Sequence, residues 1–378
     1  MTVSHPRTLR VAALAYMLVN LVFVLKYSLR IGVGVAVAAC CFYLLFAGLL
    51  MCFCGQMERR SWQRVALVVA AVSLVGLVAV QLSIDPYSLK VDRWSALHNW
   101  TECILYGRYP YAARTHLGGY GSPLPVWQLL HVPFVLLGDV GFSAFVALLF
   151  YVWTLCRLRL SKATVLRILL LWCLAPAFVY EVAVRSDLAT NFLVCCGCIN
   201  LMWQCKRSTG CLPLWQAVVC GLLLSTRLSV ALPLVVFFLP LWWTTGLGRK
   251  FSFPFIALLT LGLTCAPFLL WHELAPGATT ISPLALQTAR LDFLCAAAIV
   301  VVTLIAALGW RADLCCYHLL AATSLLAAVV LNFVSLSFRF DNTDWFSGLF
   351  DTTYLNMALP FLTAAMALAW DKTAFRKK

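Results

Sequence analysis

The chain has 378 residues, of which 63% are hydrophobic and only 11% charged, with a formal net charge of +14. That composition lies well outside the range of soluble domains. No Walker A loop, nucleophile elbow or HExxH motif is present, which removes ATP-driven pumping and membrane zinc proteolysis. No nucleic-acid-binding module accompanies the positive charge.

Arg7 and Arg10 precede an apolar run over 11–25 that resembles a signal peptide. No small-residue cleavage site follows, and a second run comes directly after, so an uncleaved first helix is expected. Further runs follow at 31–53, 65–84, 140–157, 168–182, 188–205, 212–225, 229–244, 252–271, 291–309, 314–336 and 353–370. The longest approach the ~20 residues that cross ~30 Å of hydrocarbon. The expected fold is therefore all-α: one polytopic transmembrane bundle, 1–378, of about twelve spans.

Lys and Arg set the orientation. Eighteen of the 28 basic residues collect on one side, with only Glu58, Asp313 and Asp371 for company. That side is the cytoplasm by the positive-inside rule, and both termini lie on it. The net positive charge is then a topogenic signal, and the short termini suit a bacterial inner membrane. The solution requires Leu124 to Leu137 to be an interfacial or half-inserted helix. It also leaves Lys26 and Arg30 outside.

The 17 cysteines fall mostly within spans or at their cytoplasmic ends, where cysteine packs as a small hydrophobe. Cys52-Phe-Cys54 lacks the further ligands of a metal site. His98, His116, His131 and His272 match no ligand spacing either. No cofactor is expected.

The loop over 85–139 is extracytoplasmic, polar and aromatic, and long structured loops of this kind usually carry function. Its first 39 residues, to Pro123, hold Asp85, Asp92 and Glu102 with four cations. Asp92-Arg93 opens a helical stretch, Trp94 to Leu105. Gly107-Arg-Tyr-Pro110-Tyr111 follows, and Tyr120-Gly-Ser-Pro123 runs into the interfacial helix. Two short outer turns add Glu181, Arg185 and Asp187, then Ser225-Thr-Arg227. Charges at membrane depth are costly and usually face a cavity or a partner. Together with Arg290, Arg339, Asp341 and Asp344 they suit an anionic amphiphile, its phosphate on arginines and its tail in the bilayer.

These elements resemble the first outer loop of lipid-linked-sugar glycosyltransferases of the GT-C superfamily. The likeness is to the bacterial polyprenyl-phosphate mannosyltransferase type and, more distantly, to the first mannosyltransferase of GPI-anchor synthesis. The motifs that carry it are the loop acid before an amphipathic helix, the G-x-x-P-Y element, and the tyrosine/proline step. The Arg185-x-Asp187 turn, Gly221 to Arg227, and Tyr354 to Pro360 agree with it. The resemblance covers roughly 85–250 and 337–362. It departs at the loop start, where Lys90-Val-Asp92 replaces a paired acid and leaves a divalent metal without support. Two extra spans also precede the loop.

The resemblance implies inverting transfer of a sugar from a polyprenyl-phosphate donor to a lipid-linked or glycan acceptor at the outer face. Asp92 would be the general base and Asp85 the fallback. Arg93, Arg185, Arg227, Arg290 and Arg339 would bind the donor phosphate. Asp187, Trp94, Tyr109, Tyr111 and Tyr120 would contact substrate. Plainer roles stand beside these: a helix cap for Asp92, a turn at Asp85-Pro86, a structural ion pair for Arg185 and Asp187, snorkelling for Arg227, and belt anchoring for the aromatics. Asn99-Trp-Thr101 is a formal glycosylation sequon. A secondary transporter or lipid flippase shares the twelve-span plan, but it would put polar groups at the midplane and repeat its halves. A polysaccharide polymerase is the third reading.

Overall fold

The computed structural model describes residues 5–209, 212–274, 282–289, 291–310 and 313–375. Among them the chain is helical, with one isolated bridge between Arg114 and Tyr120 and no strand. In order the helices are α1 (His5–Leu29), α2 (Val33–Gln56), α3 (Arg60–Ser83), α4 (Arg93–Leu105), α5 (Pro125–Leu136), α6 (Phe142–Arg157), α7 (Lys162–Cys173) and α8 (Pro176–Ala183). They continue as α9 (Leu188–Thr209), α10 (Leu214–Leu224), α11 (Ala231–Trp243), α12 (Leu247–Leu274), α13 (Pro283–Thr288), α14 (Phe293–Gly309), α15 (Leu314–Phe340) and α16 (Leu359–Phe375).

Among the described residues seven segments are long and apolar enough to cross a membrane: Pro6–Leu29, Val33–Gln56, Arg60–Ser83, Leu188–Cys205, Leu247–Trp271, Leu314–Phe340 and Thr352–Asp371. Where the sequence predicts one span over 168–182, the chain forms α7 and α8, bent by 58°, an eighth crossing if the pair is counted as one. Pro176 causes the break. It has no N–H to continue α7, yet is favoured in the first turn of α8. The side chain of Asn20 accepts from the Ala177 N–H freed there, at 3.0 Å. The remaining apolar helices, α5, α6, α10, α11 and α14, are shorter. At 1.5 Å per residue α5 is about 18 Å long, and α10, within the expected span 212–225, is one residue shorter, so length does not set Leu124 to Leu137 apart from the segments read as spans.

Helix α16 is the centre of the bundle, buried from Leu359 to Ala367, and packs against α1, α7, α9 and α15. Its alanines allow close approach, the usual device where no hydrophobic effect draws helices together. A buried polar chain ties the same helices. Tyr151 on α6 shares a hydrogen bond with Thr363 on α16 (2.9 Å), and Trp172 on α7 donates to Thr363 (3.1 Å). Asn200 on α9 bonds Thr154 on α6 (3.1 Å) and His318 on α15 (2.9 Å). By contrast, α2 and α12 expose apolar side chains such as Phe42, Leu45, Phe251 and Phe255. Apolar residues all round a peripheral helix suit contact with lipid.

Contacts sort the helix ends into two sets. At one end Arg167 donates to Glu58 (2.7 Å) and the Cys54 carbonyl (2.7 Å), and Asp371 accepts from the Ser161 N–H (3.0 Å). At the other, Lys26 donates to the Phe350 carbonyl (2.6 Å) and Arg185 to the Gln81 carbonyl (2.8 Å). Lys26 thus lies where its sequence position put it, with the loops and away from the basic clusters. Helices α10 and α12 pack so closely that a Cβ at Gly221 would overlap the Ala257 carbonyl oxygen and sit 2.6 Å from Thr260 Cβ. Gly221→Ala is predicted to destabilise the detergent-solubilised protein by about 1–3 kcal/mol, read as a fall in thermal midpoint. Gly246→Ala, with open space around its Cβ position, serves as the control.

Candidate functional site

The 85–139 loop is held by its own side chains. Asp85 accepts from the Tyr87 N–H (3.1 Å) and closes an exposed turn. Asp92 precedes α4, and its backbone carbonyl accepts from Ala96 (3.0 Å). Its carboxylate does not cap the helix. It turns instead to Thr115, accepting from the hydroxyl at 2.7 Å, and Thr115 in turn accepts from the Gly119 N–H at 3.0 Å. This braces the Arg114–Tyr120 turn against the start of α4. The chain then docks on the 225–227 turn: the Leu124 N–H donates to Thr226 (3.0 Å) and the Val126 N–H to Ser225 (3.1 Å). Gln287 of α13 clamps the junction, donating to the Ser122 carbonyl (2.7 Å) and accepting from the Leu228 N–H (2.7 Å).

Four segments distant in sequence meet at Asp187. Arg227 Nη2 donates to Asp187 Oδ2 at 2.5 Å and Trp127 Nε1 donates to the same oxygen at 2.7 Å. Arg93 Nη1 stands 3.8 Å from Asp187 Oδ1. Arg93 Nη2 donates onward to Asp351 Oδ2 (2.6 Å) and Thr353 Oγ1 (3.0 Å), and its guanidinium lies 5.2 Å from the centre of the Tyr354 ring. Asp187 has 2% side-chain exposure and Asp351 36%, so the inner carboxylate is sealed and the outer one reaches open space. Burial alone would raise the pKa of Asp187, but the Arg227 and Arg93 guanidiniums outweigh it and hold the group below the usual carboxylate range. Asp351 is lowered in the same way: burial opposes ionisation, and Arg93 with the Thr353 hydrogen bonds overrides it. Glu181, behind the cluster, accepts from Asn356 (2.6 Å) and the Ala189 N–H (2.5 Å).

A cavity of about 240 Å³ opens beside this cluster. Arg227, Asp351, Tyr354, Ser122 and Gln287 line its polar part. Its walls are mostly apolar: Leu228 and Leu232 from the 228–243 segment, Leu286 of α13, Ile299 of α14, and Ala328, Val329, Phe333 and Leu336 on α15, with Asn332, Ser229 and Thr288 as polar points among them. The eight steps from Ala328 to Leu336 along α15 correspond to about 12 Å of depth. Arg227 Nε, on this lining, and Arg93 Nη1, in the adjoining cluster, are buried with no hydrogen-bond partner. Buried donors of this kind are normally satisfied.

The expected site residues divide accordingly. Arg93, Asp187 and Arg227 are brought together. Arg185 is not with them. Its backbone is left-handed (φ 51°), and it binds Asp139 (2.8 Å) and the carbonyls of Gln81 (2.8 Å) and Ile84 (3.1 Å), so it fastens α3 and the α5–α6 connection to the α8–α9 turn. Arg339 is exposed at the end of α15, over the Phe340 ring. Arg290 lies outside the described residues. Trp94 packs on Tyr87 and His116, and Tyr111 on Trp100 and Phe268, as loop core. Tyr109 stacks near Trp271, and Tyr120 beneath Arg114. Among the described residues no three of His, Cys, Asp or Glu converge as metal ligands.

Asp351, Trp127 and Gln287 are the site residues that sequence reasoning passed over. Asp351 had a signal, an acid directly before an apolar entry helix, the same placement that drew attention to Asp92. Trp127 and Gln287 had none, because each acts only through a contact made in space. Compared with protein-family models, curated proteins and solved structures, the chain matches none.

Removing Asp187 leaves the buried Arg227 guanidinium uncompensated, while Arg93 keeps Asp351. Asp187→Ala is predicted to cost about 3–5 kcal/mol, measured as a drop in thermal midpoint or loss of folded protein. Asp85→Asn, on an exposed turn, stays within about 0.5 kcal/mol.

Proposed function

We propose that this chain is an integral-membrane glycosyltransferase that moves a sugar from a polyprenyl-phosphate donor to a lipid-linked or glycan acceptor at the extracytoplasmic face. The observation that carries the reading is the cavity: an edge at Arg227 at the loop end of the bundle, leading into mostly apolar walls on α14 and α15. A phosphate with a hydrocarbon tail matches that sequence of chemistries. At 240 Å³ the cavity falls just below the range of small-molecule pockets, roughly 300–1,000 Å³. It suits the headgroup end of a long lipid whose remainder lies in the bilayer.

In this reading the twelve apolar segments alternate between the two ends, with α5 returning to the face it left. The basic clusters face the cytoplasm, and the membrane is a bacterial inner membrane. The acceptor hydroxyl loses its proton to Asp92 as its oxygen bonds the anomeric carbon. The bond from that carbon to the phosphate oxygen breaks on the opposite side, and polyprenyl phosphate leaves with the electron pair. The configuration inverts. Asp92 does not line the cavity; it precedes Arg93, its carboxylate accepts from Thr115, and among the described contacts no guanidinium engages it, which leaves it the candidate base. Asp187 and Asp351, each bound to arginine, are weaker bases. Arg227 and Arg93 stabilise charge developing on the phosphate, as fixed cations in a dry site do. No metal or cofactor enters this scheme.

The test is transfer of radiolabelled sugar from polyprenyl-phosphate donors by purified protein. General base catalysis contributes about 10²–10⁴-fold. A folded Asp92→Asn variant is therefore predicted to lose at least about 100-fold of the rate. Equal rates would reduce Asp92 to bracing the 114–120 turn. No transfer from any donor by the wild-type protein would overturn the reading in favour of a transporter or flippase.

A further inference from the structure

The charges at the cavity mouth balance. Arg93 and Arg227 face Asp187 and Asp351, and the flanking Lys26 and Glu181 are tied to other partners, Lys26 to the Ser347 and Phe350 carbonyls and Glu181 to Asn356 and Ala189. The two carboxylates are not equivalent. Asp187 is sealed by Trp127 and Arg227, whereas Asp351 lines the cavity beside Arg227 and Tyr354. A phosphate that enters the cavity toward Arg227, whose Nε hydrogen has no partner, therefore meets Asp351, the carboxylate among the described lining residues. The charge it carries depends on its bonding. A sugar-phosphate lipid is a phosphodiester with one negative charge. The phosphomonoester left after transfer has a second ionisation near pH 6 and carries nearly two. Like charges brought close in a partly desolvated site repel strongly.

We infer that Asp351 is a specificity-determining residue of the phosphate subsite, a fixed counter-ion on Arg93 that favours the singly charged phosphodiester over the doubly charged phosphomonoester. It rests on the reading that a lipid phosphate enters this cavity, and it adds a direction. Donor is held, and the spent lipid phosphate is expelled by the charge that transfer exposes on it. Asp351 also caps its own turn, accepting from the Thr353 N–H (3.0 Å) and hydroxyl (2.6 Å) through Oδ1, while Oδ2 takes Arg93. Asparagine retains the Oδ1 cap and removes the charge.

The test is equilibrium binding of two probes, farnesyl phosphate and its methyl ester, to the purified full chain in micelles at pH 8, read by native mass spectrometry. The wild type is expected to bind the methyl diester more tightly than the monoester. Asp351→Asn shifts that ratio about tenfold toward the monoester, and Asp351→Glu keeps the wild-type ratio. A general loosening of the site would weaken both probes alike and leave the ratio unchanged. An unchanged ratio, or a shift toward the diester, overturns the role of Asp351 while leaving the transferase reading intact. Failure of the wild type to bind either probe overturns both.

Discussion

A carboxylate with 2% exposure beside a lipid-facing bundle needs its charge matched by nearby cations, and Asp187 has two of them in Arg227 and Arg93. Those arginines come from segments with no other reason to meet. Arg93 begins the helix of the long loop, Arg227 sits in the turn ahead of α11, and Asp187 starts α9. Through Arg93 the constraint extends to Asp351 at the entrance of α16. The loop, the bundle core and the segment leading into α16 are thus registered against one another by a single buried ionic chain. Breaking a buried pair on one side is expensive, which makes the arrangement close to all-or-none.

The same chain shapes the cavity. Trp127 occupies Asp187 from the loop side, and the Ser122–Gln287–Leu228 clamp fixes the loop over the 225–228 turn. Both leave Arg227 with one face toward Asp187 and the Nε hydrogen without a partner. Below it the lining side chains of α14 and α15 are mostly apolar, with Asn332 among them. A cation edge over a hydrocarbon wall follows from where helices stop and loops begin, and an amphiphilic anion is the ligand that such an edge recognises.

The all-helical membrane architecture was legible in the sequence, since uniform apolar runs leave few alternatives. The sequence also marked Leu124 to Leu137 as a helix, and α5 forms there over twelve residues. The bend at Pro176 was not recovered, because composition over 168–182 reads the same for a straight helix and a broken one. At the site, Arg93, Asp187 and Arg227 stood out as charges beside apolar spans. Arg185 stood out for the same reason yet serves as a tether to Gln81, Ile84 and Asp139. Sequence position identifies a costly charge but not its partner. The carboxylate of Asp92 facing Thr115 and not its own helix could not be read either, because a helix-start aspartate looks alike in both cases.

The most direct measurement is photo-crosslinking of the membrane-embedded protein with a polyprenyl phosphate that carries a diazirine on its first isoprene unit, followed by peptide mapping. Saturable labelling of Ala328 to Leu336 on α15 and of the 228–232 segment, abolished by competing unlabelled lipid phosphate, is the predicted result. Labelling confined to the lipid-exposed faces of α2 and α12, or labelling that lipid phosphate does not compete away, would contradict it.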